Sequence, residues 1–257
     1  MKPVRCGLAV QTPRMRRRHS GYVGLLITCL GVLVCLMLPK GLRQLAVIGY
    51  LALPLVLISA LGMPIEEGRW PTLRMHVFRM LGFVTWVASL IWYLTPLSEQ
   101  STGVPLLVLW SLLVIWSCER LIRNLALERQ INREVLFGAL AGYLLLGLAA
   151  GLLFSALETV APGSFVATRS SHGPVLRSQG TSANPAHPVW AVDFVELNYF
   201  AFVTLTTTGY GDIHPVTAQT QMLCVLVAIA GTVYLAMVMG LLISRYTARD
   251  VEDQLDP

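Results

Sequence analysis

The chemistry of this chain is concentrated in six consecutive residues, Thr207-Thr208-Gly209-Tyr210-Gly211-Asp212. Two glycines flank one aromatic residue, and glycine accepts positive φ angles without a steric penalty. A strip of this composition can alternate its handedness and turn successive carbonyl groups toward one axis. Stacked rings of carbonyl oxygens replace the hydration shell of a dehydrated cation. The hexapeptide therefore predicts a site for a dehydrated cation formed by backbone carbonyls.

A short apolar segment precedes the hexapeptide and predicts how it is positioned. Asp193 and Glu196 have the spacing of a capping box, which starts a helix. The apolar run from Phe194 to about Thr206 would reach about 20 Å as a helix, which is too short to cross a bilayer. We expect it to enter the membrane and return, as a re-entrant pore helix with a selectivity-filter loop over 193–212. Irregular backbone at membrane depth is tolerated only beside protein or water.

The composition is typical of a membrane protein. Of the 257 residues, 55% are hydrophobic and 13% are charged, whereas soluble domains contain about 25% charged residues. A helix needs about 20 apolar residues to cross the hydrocarbon. The fold class predicted is an all-α membrane protein with six transmembrane helices, from uncharged stretches at 21–38, 45–65, 80–98, 100–118, 135–157 and 213–244. The cysteines lack metal-ligand spacing and are interpreted as packing residues: Cys6, Cys29, Cys35, Cys118 and Cys224.

The stretch from Tyr199 to Pro215 resembles the pore helix, filter and outer turn of bacterial potassium channels. The resemblance is to the tetrameric potassium channel superfamily, in its bacterial six-helix type with a single pore domain. It implies a homotetramer in membrane lipid that conducts K⁺ passively, with no cofactor and no enzymatic activity. It also implies that K⁺ is coordinated by the backbone carbonyls of Thr207, Thr208, Gly209 and Tyr210, with Gly211 completing the filter.

The resemblance also implies supporting roles beside the filter. The Tyr210 ring would pack away from the axis, and Asp212 would anchor the outer end of the filter. Two departures occur within the stretch. The family most often has valine where this chain has Thr208, whose hydroxyl needs a partner. Tyr199 and Phe200 stand where many members have tryptophan, so side chains other than the family's tryptophans would support Tyr210.

Two flanking segments resemble the outer helix (135–157) and the inner helix (217–245) of a pore domain over 135–245, with an outer loop at 158–192. Thr217 is a candidate cap for the inner helix, and Gly231 lies where the family has its bending glycine. Glycine also allows close helix packing in membranes, so a packing role stays open beside the hinge. Helical spacing predicts a pore-facing stripe of Thr232, Leu235, Met239 and Ile243, although a packed helix face would show the same pattern.

The segments before the pore domain predict a basic cytoplasmic N-terminus (1–20), a four-helix transmembrane domain (21–118) and an amphipathic cytoplasmic linker (119–134). A voltage sensor needs several arginines inside its fourth helix. The arginines that keep a three-residue register lie beyond the apolar run instead: Arg120, Arg123 and Arg129. No recognisable voltage sensor is therefore expected.

The basic residues predict the orientation. Most of the 19 Lys and Arg residues fall in segments predicted to lie on the same side of the membrane as the N-terminus. The segments on the opposite side contain only Lys40, Arg43, Arg169 and Arg177. The positive-inside rule then places both termini, including the short tail 246–257, in the cytoplasm. We expect a bacterial inner-membrane protein with no nucleic-acid partner and no small-molecule ligand domain. His214 is a candidate pH sensor, because histidine titrates near neutrality, or else a plain surface residue.

Other functions remain open from the sequence alone. A less selective monovalent cation channel, or a regulatory channel subunit, would contain the same filter. A secondary transporter would place ionisable residues near the membrane midplane, and a membrane enzyme would need a metal cluster or a nucleophile–base pair. Neither pattern stands out in the sequence.

Overall fold

The computed structural model describes residues 13–38, 44–62, 73–94, 104–126, 133–168, 194–240 and 243–244. Five helices come first: α1 (Pro13–Met37), α2 (Gln44–Leu61), α3 (Leu73–Leu94), α4 (Val104–Ala126) and α5 (Arg133–Val160). The rest of the described chain forms β1 (Phe165–Ala167), α6 (Phe194–Leu205), β2 (Ile213–Pro215), α7 (Ala218–Val233) and a π-helical segment (Tyr234–Met239). Predictions for Asp193, Arg129, Cys6, most of the outer loop and the tail fall outside the described residues.

Within the described part of the chain, five helical segments are long and apolar enough to cross a membrane: Ser20–Met37, Leu73–Trp92, Pro105–Leu125, Arg133–Val160 and Ala218–Met239. The expectation of a mainly helical protein with several membrane-compatible helices is thereby confirmed. Two apolar helical stretches are shorter, Leu51–Leu61 at the end of α2 and Phe194–Leu205 in α6. Six spanning helices with a re-entrant pore helix stay a prediction.

Helix α5 lies at the centre of the packing, because it contacts α1, α4, α6, α7 and the π-helical segment. Four glycines make this possible. A Cβ added at any of them would overlap a side chain from another element. These pairs are Gly138 with Tyr22, Gly142 with Tyr234, Gly147 with Phe202 and Gly151 with Asn198. Small residues allow helices to approach closely in membranes, where the hydrophobic effect does not drive them together.

A second, smaller core joins the end of α5 to the elements around the predicted filter. It is built around three aromatic rings, Phe154 from α5, Phe165 from β1 and Phe200 from α6. Their centroids lie 5.1 to 5.6 Å apart, within the range of favourable aromatic pairs. This cluster fixes α6 against the outer helix.

Several boundaries differ from those predicted. Helix α4 continues through Glu119 to Ala126, so the first half of the predicted linker is a continuation of the fourth helix. Its apolar periodicity persists, with Leu121 and Leu125 buried in the main core, while Glu119 pairs with Arg123 one turn later. Helix α5 likewise extends past 157 to Val160.

Two short strands lie in segments predicted as loop, so the described fold is not purely helical. They pair antiparallel, with Phe165 opposite Pro215, Val166 opposite His214 and Ala167 opposite Ile213. Thr217 follows the second strand and caps α7 through its side chain, which accepts the Thr220 N–H at 3.3 Å. This cap was predicted and is confirmed.

Tyr234, at the start of the π-helical segment, connects that segment to α5. Its hydroxyl donates to the Ala139 carbonyl at 2.6 Å, over the surface left open by Gly142. The Tyr234 ring also contacts the Tyr143 ring, with centroids 5.8 Å apart. The backbone becomes π-helical at this point; such segments occur mostly as single turns within α-helices, frequently at functional sites.

We expect removal of the Tyr234 and Tyr143 hydroxyls to have different effects on the stability of the protein. Tyr234→Phe should lower the free energy of unfolding by about 1 kcal/mol, because a buried hydrogen bond is lost. Tyr143→Phe should be neutral or stabilising, because the Tyr143 hydroxyl is buried without a hydrogen-bond partner among the described residues. Unfolding of the two variants in the same detergent measures the difference. Equal destabilisation by both changes would contradict the fastening role of Tyr234.

Candidate functional site

The end of α6 starts the backbone strip that the sequence singled out. The Thr207 N–H donates to the Thr204 carbonyl at 3.0 Å, and the Thr208 N–H donates to the Val203 carbonyl at 3.0 Å. These two bonds form a Schellman motif, which places one residue after the helix in the left-handed conformation. That residue is Thr207, with φ of +56°. A β-branched residue rarely adopts positive φ, so the paired bonds hold the first residue of the strip in a strained conformation.

The strip then alternates in handedness. Gly209 and Gly211 also have positive φ, at +57° and +76°. Thr208 and Tyr210, which lie between the three, do not. Alternation of this kind turns successive peptide groups the same way, so that their N–H groups share one side and their carbonyls the other. The observed signs of φ thus follow the alternation predicted from the sequence, and the carbonyl site for a cation stays a prediction.

The hydroxyl of Thr208, which needed a partner, has one in Thr206. The Oγ1 atoms of Thr206 and Thr208 lie 2.8 Å apart. Thr206 Oγ1 also bonds the Phe202 carbonyl of α6 at 2.7 Å. Thr206 therefore provides the partner that the Thr208 hydroxyl needs, and it links Thr208 to α6.

The outer end of the strip is held by the side chain of Tyr199. Its hydroxyl donates to Asp212 Oδ2 at 2.9 Å, while Asp212 Oδ1 accepts the Ile213 N–H at 3.1 Å. The rings of Tyr199 and Tyr210 are stacked, with centroids 6.4 Å apart and an angle of 5° between their planes. The structure thus brings together three of the residues predicted to form and support the filter.

Phe200 lies elsewhere. It is buried and packs on Phe154 and Phe165 rather than beside the strip. Its contribution is to fix α6 against the outer helix, whereas Tyr199 alone of the two aromatic residues contacts Tyr210 and Asp212 among the described contacts.

The predicted hinge residue Gly231 is a close-packing position in this structure. It is buried in α7, and a Cβ there would overlap the backbone carbonyl of Leu205 at the end of α6. The departure from α-helical geometry begins three residues later, at Tyr234. The geometry favours the packing alternative for Gly231, and the hinge stays a prediction.

The predicted pore-facing stripe is only partly exposed. Thr232, Leu235 and Ile243 are exposed, but Met239 is half-buried and packs against the main core. The prediction assumed α-helical spacing throughout, and the π-helical turns change the angular position of residues along this segment. His214 lies exposed in β2, opposite Val166.

Three residues that organise the site were not predicted from the sequence: Tyr234, Thr168 and Glu158. Thr168 donates its N–H to the Asp212 carbonyl at 2.8 Å. Glu158 is buried at the end of α5 and bonds two backbone amides of the chain that follows. Glu158 is the first charged residue after the fifth apolar stretch, and its position could have marked it as a buried acid. The hydrogen bond between Thr168 and Asp212 joins residues more than 40 positions apart, and no local sequence pattern indicates it.

Comparison with known families bears on the same segment. A protein-family model described as an ion channel matches residues 173–248. The match includes α6, the strip Thr207–Asp212 and α7, and supports assignment to an ion channel family. With the apolar helices, it indicates a membrane-embedded, oligomeric protein of ion transport and points to a non-enzymatic role. No curated protein and no solved structure matches the chain.

Two glycines of the inner segment provide a test of the packing role. Gly231→Ala should destabilise the protein by about 1–3 kcal/mol, the usual effect of overpacking, because the added Cβ meets the Leu205 carbonyl. Gly240→Ala is the matched control, since a Cβ at Gly240 meets nothing within 4 Å. Thermal unfolding in detergent measures both. Unchanged stability of Gly231→Ala, together with altered channel opening, would favour the hinge instead.

Proposed function

We propose that this protein is a subunit of a potassium-selective channel that conducts K⁺ passively across the membrane. The observation that carries the proposal is the alternating strip Thr207–Gly211, which emerges from the end of a 12-residue helix. In the proposed pore, the carbonyls of Thr207, Thr208, Gly209 and Tyr210 replace the water around K⁺, and the Thr207 hydroxyl completes the innermost position.

A pore of this type requires several copies of the chain, because one strip cannot surround an ion. The residues from Thr206 to Gly211 are all exposed in the single chain, and Tyr210 exposes 70% of its surface. Only 17% of the apolar span Ala218–Met239 is buried, compared with 61% of Arg133–Val160. A homotetramer with cyclic symmetry would cover this inner helix with neighbouring subunits and bring four strips to one axis.

The proposed placement is the inner membrane of a bacterium, with both termini in the cytoplasm. It follows from the distribution of arginine in the sequence. In this orientation Asp212 and His214 face the outside, and the end of α4 with Glu119 and Arg123 faces the cytoplasm. K⁺ would enter the strip from either side, according to its electrochemical gradient.

The runner-up functions differ in what the filter does. A less selective monovalent cation channel would pass Na⁺ through the same strip, and a regulatory subunit would assemble with other channels without conducting well itself. The family match favours a channel over a transporter or an enzyme.

Ion flux into liposomes that contain only this protein tests the proposal. We expect K⁺ flux that exceeds Na⁺ flux, is blocked by Ba²⁺ and does not depend on a coupled ion. Equal fluxes of K⁺ and Na⁺ would favour the less selective channel. Saturable, coupled uptake would indicate a transporter, and absence of flux would leave the regulatory subunit as the better proposal.

Gly209→Ala should abolish K⁺ flux while the oligomer still assembles. An L-residue at left-handed φ costs about 1–2 kcal/mol in each subunit, so the alanine backbone would leave the conformation that aligns the carbonyls. The added Cβ itself meets no described atom within 4 Å, which separates backbone strain from a clash. Flux is measured in liposomes and assembly by size-exclusion chromatography, with Gly240→Ala as the control. Wild-type flux through Gly209→Ala would contradict the assignment of the filter.

Neutralising the arginines of α4 should barely change the voltage dependence of the current. Arg123 pairs with Glu119 of the same helix at 2.6 Å, so the two opposite charges would move together. Arg120 lies over the Phe78 ring, 4.9 Å from its centroid. Current–voltage curves of Arg120→Gln and Arg123→Gln measure the effect, and a large shift of the activation midpoint would revive a voltage-sensing role.

A further inference from the structure

A groove of about 590 Å³ lies between α3 and α4, outside the pore domain. Arg74 of α3 and Glu119 of α4 line one end of it. The rest of its lining is apolar: Val77, Leu81, Leu112, Ile115 and Trp116. The two helices run antiparallel, as three contacts between them show: Arg74 with Glu119, Phe78 with Trp116 and Ser89 with Trp110. The groove therefore leads from a charged end to an apolar end over seven residues of each helix, about 10 Å.

Three guanidinium groups and one carboxylate meet at the charged end. Glu119 Oε1 pairs with Arg74 Nη2 at 3.1 Å and with Arg123 Nη2 at 2.6 Å. Arg120 lies over the ring of Phe78, 4.9 Å from its centroid, and Phe78 follows Arg74 by one helical turn. Glu119 is the only acidic residue of α3 and α4. Within these two helices, the charged end therefore has two positive charges in excess.

The arginines of the charged end retain donors for a further anion. The side chains of Arg74 and Arg123 are 57% and 58% exposed. A guanidinium group has five N–H donors, and in the described contacts Glu119 engages only the Nη2 atom of each. Arginine binds phosphate oxygens through two parallel hydrogen bonds. The charged end thus has the chemistry of a phosphate site.

The apolar end extends this chemistry from a phosphate to a phospholipid. Leu112 and Ile115 are exposed along the groove, and a soluble anion at the arginines would leave them uncovered. Trp116 lies between the charged and apolar ends, held edge-on against Phe78; tryptophan is enriched at the boundary between lipid and water. One leaflet has a hydrocarbon layer of about 15 Å, half of the bilayer core. A groove of about 10 Å follows an acyl chain over most of that depth.

We propose that this groove binds one anionic phospholipid per subunit. Its phosphate lies on Arg74 and Arg123, and one acyl chain lies along Leu81 and Leu112. The bound phosphate adds a second bridge between α3 and α4 beside Glu119. Anionic lipids of the cytoplasmic leaflet attract basic side chains, and the proposed orientation places this end of α4 in that leaflet. The inference rests on that placement of the two helices in the membrane and is independent of the conduction of K⁺.

The test measures lipid binding to the purified protein in detergent by native mass spectrometry. The probes are phosphatidylglycerol, which is anionic, and phosphatidylcholine, which is zwitterionic, with identical acyl chains. We expect the wild type to bind phosphatidylglycerol at least fivefold more tightly. Arg74→Gln should weaken binding of phosphatidylglycerol about fivefold, the contribution of one basic side chain near a charged surface, and should leave phosphatidylcholine binding unchanged.

Arg79→Gln is the matched control for the charge. Arg79 is exposed on the same helix and does not line the groove, so the change removes one positive charge from α3 without altering the charged end. Its affinity for phosphatidylglycerol should equal that of the wild type. An equal loss in Arg79→Gln and Arg74→Gln would indicate attraction by net charge alone and would overturn the site.

Leu112→Trp tests the apolar end without changing any charge. The larger side chain would fill the groove and should weaken binding of phosphatidylglycerol at least fivefold. Val108→Trp is its control, because Val108 lies one turn earlier, is similarly exposed and does not line the groove. This pair also serves if Arg74→Gln does not assemble, since the ion pair of Arg74 with Glu119 stays intact.

Three results would overturn the proposal. They are equal affinity of the wild type for the two lipids, unchanged phosphatidylglycerol binding in Arg74→Gln, and unchanged binding in Leu112→Trp. Glycerol phosphate, which has no acyl chain, should not displace the lipid; displacement at equal concentration would assign a soluble anion to the arginines instead. A wild type that binds phosphatidylglycerol as expected but passes no K⁺ would support this site and reject the proposed function.

Discussion

A backbone strip whose φ angles alternate in sign can join neither a helix nor a sheet. Its N–H and carbonyl groups therefore need hydrogen-bond partners in other elements. Buried N–H and carbonyl groups without partners destabilise a fold strongly. In this chain the inner end of the strip is satisfied by the carbonyls of Val203 and Thr204 at the end of α6. The outer end is satisfied through Asp212. In the proposed channel, the carbonyls between these two ends would bind the ion, and the surrounding elements keep the two ends fixed.

Helix α5 contacts the elements that hold the two ends of the strip. Phe202 and Asn198 of α6 pack against glycines of α5. This close contact fixes α6, the helix from which the strip emerges. The last turn of α5 carries Glu158, which orders the segment that reaches Asp212. One helix thus contacts the elements that hold both ends of the strip. A membrane offers little hydrophobic driving force between helices, so close backbone contact and hydrogen bonds provide this precision.

The sequence predicted the elements whose signals are local. The glycine–tyrosine–glycine order gave the strip, the length of the apolar run gave the short helix, and Thr217 gave the start of α7. The end of α4 was set too early because the charged pair Glu119 and Arg123 interrupts the apolar composition, although Leu121 and Leu125 continue the buried face.

Other features depend on contacts that no local pattern records. The pairing of β1 with β2 joins residues nearly 50 positions apart in the sequence, and three-residue strands leave no recognisable alternation. Gly231 looks the same in sequence whether it bends or packs; only its approach to the Leu205 carbonyl distinguishes the two. The left-handed Thr207 follows from the Schellman bonds and not from the preference of threonine.

The π-helical segment Tyr234–Met239 has a geometric consequence for the described residues that follow it. A π turn accommodates one residue more than an α turn, and each residue of an α-helix advances the azimuth by about 100°. Conversion of this segment to α-helix would rotate everything beyond Met239 by about that angle without unwinding the helix. Gly240 and Ile243 would then exchange one environment for another, and the Tyr234–Ala139 bond would mark the fixed point of the rotation. A change in helix type alone would therefore reorient the residues beyond Met239 and leave the strip Thr207–Asp212 in place.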